Sequence, residues 1–213
     1  MIRARPHAGG TADGARLSSD ASGTAAVHPP RALRRDAVRN YERILGAARA
    51  VFAEAGAAAC IEDIAARAGV GVGTVYRRFT SKDALIDELL RLVLEELNSA
   101  ADRALARTDG HGLEDLLRAF GQSFADHARY ANLLLEREPD AAATRKIREA
   151  VASLSVRAVE AGTIRPDITA GDVLALIAGM RGLVQAETVQ ADAHLAPDAW
   201  QRFLDIHLAG MRP

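Results

Sequence analysis

A short segment in the first half of the chain carries side chains that could bind nucleic acid. From Val72 to Arg78 the sequence is V-G-T-V-Y-R-R. At about 100° per residue, a helix over this segment places Arg77 nearly opposite Val75, with Thr74 beside it. Arginine can donate two hydrogen bonds to O6 and N7 of guanine, and threonine can contact a base edge or a thymine methyl. The pattern therefore predicts a helix that contacts bases in the major groove of DNA.

Neighbouring residues are suited to contact the DNA backbone. Gly73 has no side chain, so its backbone can approach the duplex closely. Tyr76 and Arg78 are placed for phosphates, as is Lys82, which opens the next helix where free N–H groups favour anions. Arginines near the first helix could follow phosphates or enter the minor groove, although ordinary solvated arginines remain the alternative for them. The predicted DNA contacts are Arg34, Arg35, Arg39, Val72, Gly73, Thr74, Tyr76, Arg77, Arg78 and Lys82.

Two short helices joined by a tight turn must position this segment. Apolar spacing predicts one helix over Ile61–Ala68 and a second from Val72 to Phe79. Gly69 can take the left-handed conformation that ends the first helix and turns the chain. Val75 and Phe79 then share the inner side of the second helix. This is the construction of a helix-turn-helix, and a buried helical hairpin with solvated arginines is the alternative.

The segment resembles the TetR family of bacterial transcriptional regulators. Five stretches carry the resemblance: R-I-L at 43–45, F-A-E-A-G at 52–56, D-I-A-A-R-A-G-V at 63–70, G-T-V-Y-R-R-F at 73–79 and S-K-D-A-L at 81–85. A weaker likeness lies in A-G-T-I-R-P-D-I at 161–168. The resemblance implies a three-helix DNA-binding head, an all-α ligand-binding body, homodimerisation and release from an operator by a small molecule.

Three positions depart from the family pattern. Cys60 stands where members usually have a Ser or Thr cap, and Gly71 stands at the start of the second short helix where Ser is common. Both are weaker caps, and the poor cap at Cys60 costs about 0.5–2 kcal/mol. Val72 occupies a position that is often polar, so base contact there would be apolar.

The remaining chain shows helical periodicity and no sustained alternation of apolar and polar residues, so we predict an all-α fold. The first residues are rich in Ala, Gly, Ser, Thr and Pro and cannot bury enough apolar surface to offset their ordering entropy. From Asp36 a helix begins, with Val38 and Tyr41 on its apolar stripe. The predicted organisation is a disordered tail at 1–33, a DNA-binding head at 34–82 and an effector-binding and dimerisation body at 83–213.

The charge is divided unevenly along the chain. Up to Phe79 there are 12 arginines against seven acidic residues, whereas the remainder has 15 basic and 21 acidic residues, for a net charge of −1. A basic first part and an acidic second part are typical of a chain whose first part meets a polyanion. Scatter alone could also produce this difference.

Several classes of function find no support in the sequence. Cys60 is the one cysteine, which excludes an internal disulfide and a cysteine-based zinc site. The six histidines show no i, i+4 pair, so we expect no metal and no cofactor. No nucleophile elbow, P-loop or dinucleotide motif occurs, so we expect no enzyme. The apolar stretches are too short for a membrane span and no signal peptide is evident, so we expect a cytoplasmic protein without membrane contact.

The body is expected to hold an effector pocket and a dimer interface. Apolar stripes and nearby polar residues give the pocket candidates Leu92, Phe120, Phe124, His127, Leu134, Val151, Met180, Val184 and Glu187, although simple core packing would also explain most of them. A small-residue face on the penultimate helix and a stripe on the last one give the interface candidates Ala178, Gly182, Trp200, Phe203, Leu204, His207 and Leu208.

The sequence thus predicts a homodimeric regulator that binds a palindromic double-stranded DNA operator and is released by a small-molecule effector. We expect a repressor rather than an activator. A small-molecule sequestering protein with a vestigial head and a helical enzyme are the alternatives. Weak, salt-insensitive DNA binding together with tight ligand binding would favour the first alternative, and measurable turnover would favour the second.

Overall fold

The computed structural model describes residues 31–189 and 198–213, and it describes side chains from 35 to 186 and from 198 onwards. Its helices are α1 (Arg31–Ala55), α2 (Ile61–Ala68), α3 (Val72–Arg78), α4 (Lys82–Leu105), α5 (Gly112–His127), α6 (Ala131–Leu135), α7 (Ala141–Glu160), α8 (Ala170–Val189) and α9 (Ala199–Met211). Short 3-10 turns follow α1 at Gly56–Ala58 and α5 at Ala128–Tyr130. The described residues contain no strand, so the predicted all-α fold is confirmed.

The first helix begins earlier than expected. It starts at Arg31, within the predicted tail of 1–33, directly after two prolines that suit the approach to a first helical turn. Residues 1–30 lie outside the described part of the chain. The prediction that Val38 faces inward is wrong, because its side chain is 55% exposed. Full burial begins only at Ile44, so the turns of α1 before Tyr41 project beyond the helices on which the rest of α1 packs.

One hydrophobic core joins α1, α2 and α3 to the first turns of α4. Phe52, Ile64, Val75 and Leu85 are fully buried at its centre. The core also takes in Tyr130, Leu133 and Leu134, which follow α5 in the chain. We call this cluster the head core. The predicted head boundary at residue 82 therefore crosses a packed unit, because α4 is continuous and contributes to the head and to the body.

A second core lies between the later turns of α4 and the helices α5, α7, α8 and α9. Leu116, Val151, Met180 and Leu204 are buried within it, and we call it the body core. Trp200 fixes α9 against α5, since a Cβ added at Gly121 would lie 2.1 Å from the indole ring. Only glycine permits that approach.

Polar caps define where the long helices start. Ser81 Oγ accepts from the backbone N–H of Ala84 at 3.0 Å, and Asp140 accepts from Ala143 N–H at 2.6 Å. Thr169 and Asp172 satisfy each other's backbone N–H groups at the start of α8. Ser81, Asp140 and Thr169 therefore cap the N-termini of α4, α7 and α8. No helix in the described ranges is long and apolar enough to cross a membrane.

Candidate functional site

The turn between α2 and α3 has the geometry that the sequence predicts. Gly69 has φ +62° and ψ +41°, the left-handed conformation, and its N–H bonds to the carbonyls that end α2. Arg43 on α1 donates to the Gly69 carbonyl at 3.1 Å, which ties the turn to α1. The turn therefore fixes the direction of α3 relative to α1 and α2.

Cys60 precedes α2 but forms no side-chain cap, as its residue type predicts. Its thiol donates instead to the Asp63 carboxylate, with Sγ 2.9 Å from Oδ2. That hydrogen bond raises the pKa of the Cys60 thiol, which keeps the sulfur protonated and less nucleophilic. The geometry agrees with a packing role for this cysteine.

The two sides of α3 differ as the base-contact prediction requires. Val75 is fully buried in the head core, and Phe79, just after the helix, is 5% exposed. On the outer side Tyr76 is 46% and Val72 37% exposed, and Gly73 is exposed with open space where a Cβ would lie. This outer side of α3 is available to a duplex.

Arg77 is oriented by its neighbour on the same outer side. Its Nη2 donates to Thr74 Oγ1 at 3.0 Å, an i, i+3 contact on one helix face. No ion pair among the described residues involves Arg77, and α3 itself carries no acidic residue. A guanidinium held in place without a competing carboxylate is ready to bind guanine or phosphate.

Arg78 differs from Arg77 in its surroundings. Its guanidinium lies 4.9 Å from the centre of the Tyr41 ring on α1. The Tyr41 hydroxyl donates to the Glu88 carboxylate on α4, and Arg91 Nε donates to Glu88 at 2.7 Å. This network, which sequence reasoning missed, links α1, α3 and α4.

The same network shifts the pKa values of Glu88 and Tyr41. The hydrogen bond from Arg91 lowers the pKa of Glu88, and Tyr41 adds to that effect. Burial raises the pKa of Tyr41, and its hydrogen bond to Glu88 raises it further. Glu88 is therefore ionised and Tyr41 protonated at neutral pH.

The other predicted DNA contacts have mixed positions. Arg35 and Arg39 are exposed on the projecting turns of α1, whereas the side chain of Arg34 lies outside the described residues. Lys82 is half-buried, and its ammonium donates to the Ala57 carbonyl at 2.7 Å. In the free protein Lys82 thus holds the start of α4 against the turn after α1, and its phosphate contact stays a prediction.

A cavity of about 360 Å³ lies in the body between α4, α5, α6 and α8, within the range of small-molecule sites. Its described lining residues are Leu90, Val93, Leu94, Leu97, Ser123, Phe124, His127, Ala131, Leu134, Leu135, Arg137, Pro139, Arg181, Val184 and Gln185. A larger groove of about 650 Å³ between α4 and α7 is lined mainly by charged residues, such as Lys146 and Asp102, that pair across it at 2.8 Å. We therefore take the smaller, more apolar cavity as the candidate ligand site.

The structure brings together only part of the predicted pocket. Phe124, His127, Leu134 and Val184 line the cavity. The remaining candidates lie elsewhere, since Leu92 packs against the head core, Phe120, Val151 and Met180 fill the body core, and the side chain of Glu187 is outside the described residues. Helical spacing finds inward residues but does not say which of them border a void. Leu90, Leu94 and Leu97 on α4 were missed, although their i, i+4, i+7 spacing marks one face.

His127 connects the cavity to the head core. Its Nδ1 donates to the Ser123 carbonyl at 2.6 Å, which fixes the ring. The ring edge meets Tyr130 at a centroid distance of 5.7 Å and an angle of 85°. Tyr130 belongs to the head core, so the His127 side chain contacts both the cavity and the head core. The described residues contain no group of three or more His, Cys, Asp or Glu suited to a metal ion.

The predicted interface residues divide into a buried group on α9 and a more exposed group on α8 and α9. Trp200, Leu204 and Leu208 lie in the protomer's own body core, because α9 packs with that side on α5 and α8. Ala178 and Gly182 on α8 and His207 on α9 are exposed, and Phe203 is half-buried against Gly179. Ile206, which the sequence analysis did not single out, is 59% exposed on the same outer side.

Comparison with known proteins agrees with this geometry. Residues 44–89 match bacterial regulatory proteins of the tetR family, and residues 110–213 match the transcriptional regulator SbtR-like C-terminal domain. The chain is 30% identical over 171 residues to HTH-type transcriptional regulator UidR of Escherichia coli K12, which covers 72% of this chain and 86% of UidR. It is 40% identical over 82 residues to HTH-type transcriptional repressor KstR2 of Mycobacterium tuberculosis H37Rv, covering 38% of this chain and 40% of KstR2.

A solved structure supports the same assignment along most of the chain. TetR transcriptional regulator SCO0520 from Streptomyces coelicolor superposes with a TM-score of 0.59 at 30% identity, covering 81% of this chain and 98% of SCO0520. The helix-turn-helix, the helical body and these likenesses agree. This chain belongs to the TetR family and is a DNA-binding transcriptional regulator.

Proposed function

We propose that the protein is a homodimeric repressor, that α3 binds each half of a palindromic operator, and that a small molecule in the body cavity releases it. The observation that carries the proposal is the outer side of α3. There Arg77 is held by Thr74 and has no acidic partner among the described residues, while Val75 fixes the opposite side in the head core. The arrangement supports base contact by α3 in the major groove.

Dimerisation is supported by the outer surface of α8 and α9. Ala178, Gly179 and Gly182 give the outer side of α8 a stretch of small residues, and Ile206 and Phe203 supply apolar area on α9. Two copies of this helix pair can close around a two-fold axis as an isologous four-helix bundle. Two α3 helices about 34 Å apart, one turn of DNA, would then meet a palindromic site.

Release by a ligand is supported by residues shared between the cavity and the head core. Leu134 lines the cavity and also packs in the head core. His127 lines the cavity and contacts Tyr130 of the head core. A ligand that moves these side chains shifts α4 and the head together, which changes the spacing of the two α3 helices.

The experiment is fluorescence anisotropy with labelled promoter DNA from beside the protein's own gene. We expect Arg77→Ala to weaken binding about tenfold or more, the usual cost of about 1–3 kcal/mol for a lost base contact. Arg145→Ala is the matched control, because Arg145 is an exposed arginine on α7 in the body. Affinity should also fall steeply between about 50 and 200 mM salt.

Two outcomes would overturn the assignment. If Arg77→Ala binds as tightly as Arg145→Ala, α3 is not the helix that contacts bases. If the affinity is weak and insensitive to salt, phosphate neutralisation is not the driving force and the head has no operator function.

A further inference from the structure

The charged side chains described on the cavity wall are basic. Its described lining residues include Arg137 and Arg181 and no aspartate or glutamate. Most other lining side chains are apolar, with Leu97, Phe124 and Val184 from three different helices. A site with this lining favours a ligand with an apolar body and a negative charge.

The two arginines differ in whether a described carboxylate already pairs with them. Arg137 donates to Asp87 Oδ1 at 2.6 Å and to Oδ2 at 3.0 Å, and it lies 3.6 Å from Asp83. Its charge is therefore neutralised by α4. Arg181 on α8 is exposed at the cavity and forms no ion pair or hydrogen bond with any described residue. Arg181 is thus the cation of this wall that a ligand can use.

We propose that the cavity takes an amphipathic monocarboxylate, an apolar chain or ring system whose carboxylate pairs with Arg181. The inference rests on the proposed function, because it assigns the ligand class of the same cavity. One planar guanidinium matches one carboxylate through two parallel hydrogen bonds. A phosphate monoester carries more charge than a single unpaired arginine balances, so the carboxylate is the better match.

The test compares acids with their own uncharged amides by isothermal titration calorimetry. The probes are octanoate, decanoate, 4-phenylbutanoate and 2-naphthoate, each below its micellar concentration, with the corresponding primary amides. We expect at least one acid to bind about tenfold or more tightly than its amide, as a charge-assisted hydrogen-bonded pair requires. If every amide binds as well as its acid, the proposal is wrong.

Three variants test whether Arg181 is the residue that pairs with the carboxylate of the ligand. Arg181→Gln should bring that acid within about twofold of its amide and leave the affinity for the amide unchanged. Arg145→Gln on α7, outside the cavity, is the control that should keep the preference. Arg137→Gln should reduce it less than Arg181→Gln does, because the Arg137 guanidinium is already bound to Asp87. A preference that survives Arg181→Gln, or that only Arg137→Gln removes, contradicts the proposal. Since the Arg181 side chain is exposed and has no partner among the described residues, the variant should unfold at the wild-type temperature.

DNA release is measured separately, so the two proposals can fail independently. If the preferred acid binds through Arg181 but leaves the promoter complex intact, the ligand class stands and ligand-controlled release fails. If the protein binds promoter DNA but prefers no acid over its amide, the ligand class fails and the regulator assignment stands.

Discussion

The guanidinium of Arg78 lies 4.9 Å from the centre of the Tyr41 ring, whereas neighbouring Arg77 donates a hydrogen bond to Thr74 on its own helix. The sequence offers two adjacent arginines for DNA, and the fold gives them different partners. Arg78 packs α3 against α1 and lies near Glu88 of α4. Arg77 faces outward. One arginine therefore holds α3 in place, and the other faces outward, where a duplex could reach it.

This division predicts different stabilities for two alanine variants. Arg78→Ala removes a cation–π contact on a half-buried ring and should lower the free energy of unfolding by about 0.5–1 kcal/mol. Arg77→Ala removes an exposed side chain and should change it by less than about 0.5 kcal/mol. Urea denaturation at one fixed protein concentration measures both. Equal losses in the two variants would contradict the separation of roles.

Glu88 predicts a pH dependence of stability. Its folded-state pKa is lowered, chiefly by the hydrogen bond from Arg91. A carboxylate with a lowered pKa stabilises the fold above its unfolded pKa, and this contribution is lost as the pH falls through the folded value. The stability advantage of wild type over Glu88→Gln should therefore be largest near neutral pH and shrink below about pH 4.5.

Chemical denaturation at a series of pH values from 7 to 3 measures that difference. Glu149→Gln is the control, because Glu149 is exposed on α7 and lies 3.8 Å from its nearest arginine. A difference between wild type and Glu88→Gln that stays constant over the whole series would show that the Glu88 carboxylate gains nothing on folding.

Local chemistry explains why the sequence sufficed for the helix-turn-helix. Gly69, Ser81 and the buried Val75 each perform a task set within a few residues, so their types alone predict their conformations. The burial of Val38 was predicted wrongly because nothing in the sequence indicates that α1 projects past its packing partners. Burial there depends on where distant helices end.

The body was less predictable for a related reason. An apolar stripe on α9 can face the protomer's own core or a second subunit, and the spacing is the same in both cases. Trp200 and Leu204 turn inward because Gly121 on α5 leaves room for the indole. Likewise Val151 and Phe124 share the same kind of stripe, yet only Phe124 borders the cavity. Which residues meet a void is decided by packing between helices far apart in sequence.

The turn between α2 and α3 gives a third prediction. Gly69→Ala places a Cβ on a residue with φ +62°, which costs about 1–2 kcal/mol for a non-glycine residue. The added Cβ would also lie 2.5 Å from Arg43 Nη2 and displace the contact that ties the turn to α1. The variant should therefore unfold more easily than wild type and bind promoter DNA less tightly.

Gly46→Ala is the matched control for that variant. Gly46 lies within α1, and an added Cβ there meets no atom within 4 Å. Alanine in an exposed helix interior stabilises by about 0.5–1 kcal/mol over glycine. Thermal unfolding of both variants should give shifts of opposite sign, and a destabilised Gly46→Ala beside an unaffected Gly69→Ala would refute the assigned turn geometry.

The dimer surface gives the last prediction. Ile206 on α9 is 59% exposed, and α9 packs on α8, whose outer side is rich in glycine and alanine. The outer sides of these two helices form the surface proposed to bury itself against a second copy. Ile206→Glu places one carboxylate from each protomer in that interface, and burying an unpaired charge costs several kcal/mol. The variant should therefore sediment as a monomer at concentrations where wild type is a dimer.

Val156→Glu separates this effect from a general loss of solubility or stability. Val156 is 56% exposed on α7, so the substitution adds the same charge at a similarly exposed apolar position but lies outside the proposed interface. We expect it to remain dimeric in analytical ultracentrifugation and to bind promoter DNA like wild type. Ile206→Glu should keep its helical circular dichroism and lose tight binding to the palindrome, since one α3 reaches only one half-site. A dimeric Ile206→Glu, or a monomeric Val156→Glu, would place the interface on another surface.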